Sequence, residues 1–483
     1  MSAAATDNIA ADAHNFPHSA KHALTDPALQ QALGNIPAGF QEKRRAALAR
    51  IPEWESLVDA GVAIKNHTIE HLDFYLEAFE SKVQAQGGTL HWCRDGAEAR
   101  DAVLAICRNA NAKLAIKSKT MIAEEIALND HLERHGVEVV ETDMGEYVLQ
   151  IRREKPSHII APIIHLNRGQ IAQSFRDSHK SFEAARKLDS ARELLDEARS
   201  ILRGKFLSAD VGITGANLLV AETGSAVIVT NEGNADLTVT LPRVHIVIAS
   251  IEKLVPSVAE AWTILRLLAR SATGQDITAY TSFVGGSKRG GDLDGPGEFH
   301  VVLLDNGSAE MIAGELRGML RCIRCAACMN HCPVYGAVGG HAYGSVYPGP
   351  MGAVLTPWFA GLATTSDLPN ASTLCGRCEQ VCPMRIPIPR MLRYWREREH
   401  EQQLSSWRAR SLLWLWAFAA RRPWLYHAVA HVFASGLKRF SGGKGMTRHL
   451  LFANAWTDTR DFPAPEGGTF RHLYARQKRE RRS

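Results

Sequence analysis

Seven of the nine cysteines in this 483-residue chain lie between Cys322 and Cys382, and their spacing is the strongest chemical signal in the sequence. The first run is Cys322-x2-Cys325-x2-Cys328-x3-Cys332, followed by Pro333. Thiolates at steps of three on a tightly turning backbone can hold three irons of one cubane, and a fourth cysteine, redirected by the proline, points to another cluster. Structural zinc sites favour two separated Cys-x2–4-Cys knuckles. Haem attachment needs Cys-x-x-Cys-His, a pentapeptide the chain lacks. The run reads as iron–sulfur ligation.

The second run is Cys375-x2-Cys378-x3-Cys382-Pro383. Aligned backwards from the proline, the first position of the four-cysteine pattern falls on Ser372. If the ligands cross between runs as in two-cluster ferredoxins, Cys322, Cys325, Cys328 and Cys382 complete one [4Fe–4S] site. Cys332, Cys375 and Cys378 then leave a second site with three thiolates. That site fits a [3Fe–4S] cluster, a [4Fe–4S] cluster with an oxygen ligand from Ser372, water or a neighbour, or a [4Fe–4S] cluster whose open iron meets a substrate or partner. The plain reading of Ser372 is an N-cap for the following turn. Cys93 and Cys107, far upstream in apolar contexts, read as core thiols.

The elements that carry these runs follow from periodicity. From about Pro27 to Val83 apolar residues recur at helical spacing and stop at Gly87–Gly88. "KLAIKS" and "VEVVET" read as strands on either side of one helix, "MIAEEIALNDHLERHG", closed by Gly136. "SFEAARKLDSARELLDEARSILRGKF" reads as a long charged helical region. "ANLLVAETGSAVIVT", "LTVTLPRVHIVIAS" and "FHVVLLD" read as buried strands. This alternation implies an α/β domain with a largely parallel or mixed sheet, followed by a helical cysteine-bearing segment.

Charge is unevenly spread. From Met384 onward there are 20 Lys and Arg against 7 Asp and Glu, a balance of +13, so the rest of the chain carries −8 of the net +5. The tail also holds Trp407, Trp414, Trp416, Trp424 and Trp456. Its "SLLWLWAFAA" is too short to span a bilayer but suits an interfacial helix flanked by arginines. Neither a signal peptide nor a spanning segment is recognisable, so the chain is expected in the cytoplasm, its tail either in peripheral membrane contact or docked as a helix on a partner or on the protein's own body. In that reducing compartment cysteines serve as metal ligands or thiols and not as disulfides. No nucleic-acid recognition motif appears.

Other candidates have plainer readings. Glu222, in "AETGS", is placed where a strand-end carboxylate could act as a nucleophile, but a turn between paired strands explains it. "GITGAN" (Gly212 to Asn217) could offer backbone N–H groups to an anion, or be a tight helix-to-strand connection. The glycine-rich stretch from Val284 to Gly297 reads as a loop. His131 and His135 stand at i and i+4, yet no His-Glu-x-x-His pattern accompanies them.

"CIRCAACMNHCPVYGAVGGHAYGSVYPGPMGAVLTP" followed by "LCGRCEQVCP" resembles the lactate-utilisation protein B family. Upstream, "GVEVVETDMGEYVLQI", "PSHIIAPIIH" and "GITGANLLVAETGSAVIVTNEGNADL" resemble that family's lactate-utilisation domain. The likeness runs from about Ile64 to Arg390. With the composition and periodicity on either side, this divides the chain into a mobile, polar N-terminus over 1–25, a helical segment over 26–63, a lactate-utilisation domain over 64–308, a two-cluster domain over 309–400 and a basic Trp-rich helical tail over 401–483. It further implies an α/β fold like that of CoA transferases and ribose-phosphate isomerases, and ligation by Cys322, Cys325, Cys328, Cys332, Cys375, Cys378 and Cys382. The implied role is electron transport in the oxidation of L-lactate to pyruvate with two companion proteins: a cysteine-rich iron–sulfur protein and a second lactate-utilisation-domain protein. The alternative is a redox enzyme that binds a small carboxylate at an open-coordinated cluster, but no flavin, nicotinamide or acid–base constellation supports it.

Overall fold

The computed structural model describes residues 15–183, 185–441, 445–448, 450, 457, 460–465 and 468–481. The first 14 residues of the expected mobile terminus and Trp456 therefore lie outside the described residues. The chain forms two compact units, one through Glu399 and one from His400.

In the first unit, six strands make a wholly parallel sheet. They are β1 (Gly88–Cys93), β2 (Leu114–Lys117), β3 (Glu138–Glu141), β4 (Val211–Gly215), β7 (Val244–Ser250) and β10 (Glu298–Leu304), in the order β1-β10-β7-β4-β2-β3. Helices cover both faces, so β2 and β7 are buried along their whole length, as a parallel sheet requires. A second sheet, ordered β8-β5-β6-β9, combines β5 (Leu218–Val220), β6 (Ser225–Thr230), β8 (Leu254–Val255) and β9 (Tyr280–Val284). Helices Trp54–Glu70 and Val258–Thr273 lie beside this sheet and pack closely, since a Cβ on Gly61 would sit 2.4 Å from Leu267 Cδ1. Both helices share one hydrophobic core with β5, β6 and the two cysteine runs.

The fold departs from expectation in five places. "LTVT" is helical, within Asn234–Thr240, and only Val244–Ser250 of that stretch is a strand; burial of Thr238 and Val239 against the sheet outweighs their β-branched preference. The single helix over 121–136 is two, Met121–Glu125 and Leu128–Arg134, broken where Ala127 adopts φ +52°. The charged helical region starts only at Ala191, on a capping box between Ser190 and Glu193. "GITG" belongs to β4, where a Cβ on Gly212 would lie 1.9 Å from Thr238 O. Within the expected mobile terminus, Phe16–Thr25 is a helix whose Phe16 ring packs edge-on to Tyr343 at 5.1 Å.

In the second unit, Trp407–Ala420 and Pro423–Phe440 are neighbouring helices, followed by the helix Phe470–Glu480. Trp407, Trp414, Trp416, Trp424 and Phe433 are all exposed. Among the described residues no helix is long and apolar enough to cross a membrane.

Candidate iron–sulfur site

The two cysteine runs fold as repeats of one turn. In the first, Arg324 and Ala326 flank Cys325 with φ +57° and +60°, and a short helix, Ala327–Asn330, carries Cys328. In the second, Leu374 and Gly376 flank Cys375 with φ +53° and +82°, and Arg377–Gln380 carries Cys378. A left-handed φ costs an L-amino acid on the order of 1 kcal/mol, so its use at Arg324, Ala326 and Leu374 marks a constraint on the backbone, which Gly376 meets without that cost. The constraint is visible in the N–H groups: that of Ala327 bonds to the Cys325 thiol and that of Arg377 to the Cys375 thiol. Tyr335 N–H likewise reaches Cys332 Sγ, and Ile386 N–H reaches Cys382 Sγ, both at 3.5 Å.

In this register Ser372 occupies the position of Cys322. Its Oγ accepts the N–H of Leu374 at 3.1 Å, and its carbonyl accepts from Arg396 at 2.6 Å. The hydroxyl thus fixes its own turn.

Cys322, Cys325, Cys328 and Cys382 line one cavity whose other walls are chiefly apolar, from Ile159, Met319, Ile323, Met351, Met384 and Ile386. Burial pushes the Cys325 thiol up to about 12 and Cys382 to about 11, and takes Cys328 well above its ordinary range. Neighbouring thiolates add to each shift. Four thiolates in so dry a place need a cationic core to neutralise them, and an iron–sulfur cube supplies one; the donor set fits that group. Cys332, Cys375 and Cys378 form the second set. Burial raises Cys332, with Cys375 adding to it, and burial takes Cys378 to about 12, with Cys332 and Cys375 adding. Cys375 is exposed, and its N–H partner holds it below the ordinary thiol value. Cys93 and Cys107 sit in the core of the parallel sheet, where burial pushes them to about 11 and about 12.

A buried polar network joins the first set to the C-terminal edge of the sheet. Arg324, inside the first turn, lies 5.0 Å over the Tyr347 ring and 3.8 Å from Glu252, just past β7. Tyr347 Oη donates to Glu125 at 2.7 Å, and Asn306, just past β10, donates to the same carboxylate at 2.5 Å. Burial works against the Arg324 cation, yet Cys322, Tyr347 and the two glutamates hold it above its ordinary value. The sequence carried a hint of this, a basic residue inside a Cys-x-x-Cys turn. Glu125 and Glu252 gave none. The amino-terminal helices are also part of the frame: Arg44 donates to Val381 O at 2.9 Å and Gln41 to Asn330 O at 2.7 Å.

The remaining candidates fall away from this site. Glu222 is exposed in the turn between β5 and β6 and accepts Val258 N–H at 3.0 Å, at the start of a helix. His135 Nδ1 bonds to His131 O, and His131 faces Asp101 at 3.5 Å.

Sequence comparison agrees with this division. A profile of the LUD domain matches residues 76–304 and one of the 4Fe-4S dicluster domain matches 318–386. Lactate utilization protein B of Lysinibacillus sphaericus is 40% identical over 454 residues, covering 93% of this chain and 94% of that protein. The chain belongs to the lactate utilization protein B family. Another member, from Anoxybacillus flavithermus, is 41% identical over 443 residues, 90% of this chain and 92% of its own. An uncharacterized electron transport protein of Escherichia coli, YkgF, is 36% identical over 465 residues, 96% of this chain and 97% of its own. The family's two domains correspond here to the parallel-sheet segment and to the paired cysteine turns.

Proposed function

We propose that the chain is the iron–sulfur electron-transfer subunit of a multi-protein system that oxidises L-lactate to pyruvate, working with a cysteine-rich iron–sulfur protein and a second lactate-utilisation-domain protein. The observation that carries this reading is the duplicated cysteine turn, with no cysteine of the first set exposed and the second set reaching the surface at Cys375. Cys322, Cys325, Cys328 and Cys382 would hold a [4Fe–4S] cluster; Cys332, Cys375 and Cys378 would hold a [4Fe–4S] or [3Fe–4S] cluster, with Ser372 in the register of a fourth ligand. Such clusters, when bound, supply one-electron storage. The chain's own residues exclude water from the first set, donate N–H groups to its sulfurs and place the Arg324 cation beside it. The relatives' names supply the lactate context, and the exposed tryptophans and basic charge of the tail support contact with an anionic membrane surface.

The test is stepwise. Anaerobically purified protein is expected to carry about seven to eight irons, and fewer than about six would overturn the two-cluster reading. EPR of as-isolated and dithionite-reduced samples separates the two options for the second cluster. L-lactate is expected to reduce the protein only when both companions are present; turnover by the isolated chain with an artificial acceptor would overturn the subunit reading.

A further inference from the structure

We propose that Glu154, His165 and His341 form a binding site for one divalent transition-metal ion, of the zinc class, separate from the cysteine runs. One ligating atom from each residue lies within 4.8 Å of the others. His165 Nε2 is 3.0 Å from Glu154 Oε2, and the two imidazole rings are 4.3 Å apart at their centroids. Ligands of a tetrahedral zinc, with bonds of about 2.0–2.1 Å, stand roughly 3.3 Å from one another. The set is therefore nearly closed, with His341 at the exposed side of it.

The surroundings orient Glu154 and His341 as an outer shell orients metal ligands. Arg152 places Nε at 2.9 Å and Nη2 at 2.6 Å on Glu154 Oε1, which leaves Oε2 to face the histidines. His341 Nε2 stands 2.7 Å from Lys155 O; bonded to a carbonyl, that nitrogen carries the proton and Nδ1 presents its lone pair. The His165 side chain is only 9% exposed, and its Nδ1 has no hydrogen-bond partner in the protein. Beside the set is a cavity of about 190 Å³, walled in part by Ser157, Gln170 and Gly339, with room for a water as fourth ligand.

The donors decide the class of ion. Two imidazoles and one carboxylate, with no thiolate, suit zinc or a related first-row divalent ion better than magnesium or calcium, which prefer all-oxygen shells. A purely structural hydrogen-bond cluster would explain the His165–Glu154 contact. It would not explain a second histidine turned against the first at the mouth of a cavity.

The experiment uses the full-length, anaerobically purified holoprotein, washed with EDTA and dialysed against micromolar zinc, with zinc and iron counted in the same sample. Wild type is expected to retain one zinc per chain that His341→Ala loses, with iron unchanged; by titration calorimetry, zinc should bind the variant at least tenfold more weakly. Because His341 is exposed, this variant leaves the core intact, and Glu154→Gln supplies an independent second loss. No zinc in the wild type, or the same zinc in wild type and both variants, would overturn the proposal.

Discussion

His158 should make the join between the α/β segment and the first cysteine run sensitive to acid. The side chain is fully buried. Its Nδ1 accepts the N–H groups of Ile160 at 3.0 Å and Ala161 at 2.9 Å, and Nε2 meets Asn330 Oδ1 at 2.9 Å, two residues from Cys328. This arrangement admits only the neutral ring. Burial accordingly lowers the pKa from 6.5 to about 4, with Lys119 lowering it further against the Asn330 bond. The opened segment, by contrast, titrates near the ordinary value of 6.5. Stability from this contact is thus complete above pH 6.5 and is lost as the pH falls towards 4. Between pH 7.5 and 5.5 the opening constant should rise ~10-fold, or ~1.4 kcal/mol. Hydrogen exchange of the holoprotein, read as protection factors for peptides spanning 157–163 and 327–332, measures it directly. In His158→Gln, protection should be lower at neutral pH and nearly independent of pH. Equal protection at the two pH values in the wild type, or the same drop in the variant, would refute the reasoning.

Three further outcomes follow from the same geometry. Arg324→Gln should keep its iron but lower the midpoint potential of the first cluster, on the order of 50–100 mV for loss of a buried unit charge, as read by redox-poised EPR; an unchanged potential would separate Arg324 from that cluster. Lys117 is fully buried between Glu124 at 2.8 Å and Glu141 at 2.7 Å, so Lys117→Met should destabilise the parallel sheet by about 3–5 kcal/mol, seen as an early thermal transition, and a wild-type melting curve would contradict that. Replacing Trp414 and Trp416 by serine should weaken cosedimentation with vesicles rich in anionic lipid while leaving the iron content alone; equal binding would exclude these rings from the contact.

What the sequence made legible was whatever is local. Cysteine spacing fixed the register that aligns Ser372 with Cys322, and the backbone repeats it in the φ values around Cys325 and Cys375. Short apolar runs located β2, β3, β7 and β10, because a parallel sheet covered on both faces buries most of its side chains. What stayed hidden depends on partners distant in the chain. "LTVT" is β-branched and became helix because of what it packs on. Glu125 and Glu252 look like surface acids until Tyr347, Asn306 and Arg324 arrive from up to 222 residues away. His165 and His341 stand 176 positions apart, and no periodicity relates them.

These distant contacts bear on why a lactate-utilisation domain accompanies the clusters at all. In open parallel sheets, ligand chemistry gathers outside the carboxyl ends of the strands. Here that edge is capped by the chain's own cysteine turns: residues just beyond β7 and β10 hold the network around Arg324, and the segment beyond β3 supplies Ser157, His158 and Ile159. The contact is too close for a loosely tethered module, since a Cβ on Gly340 would fall 1.8 Å from Ser157 O. Tyr335 Oη donates to that same carbonyl at 2.7 Å. A segment held this tightly cannot swing between partners as a mobile carrier does. The cysteines in this frame are held at fixed positions, and of the seven only Cys375 is exposed.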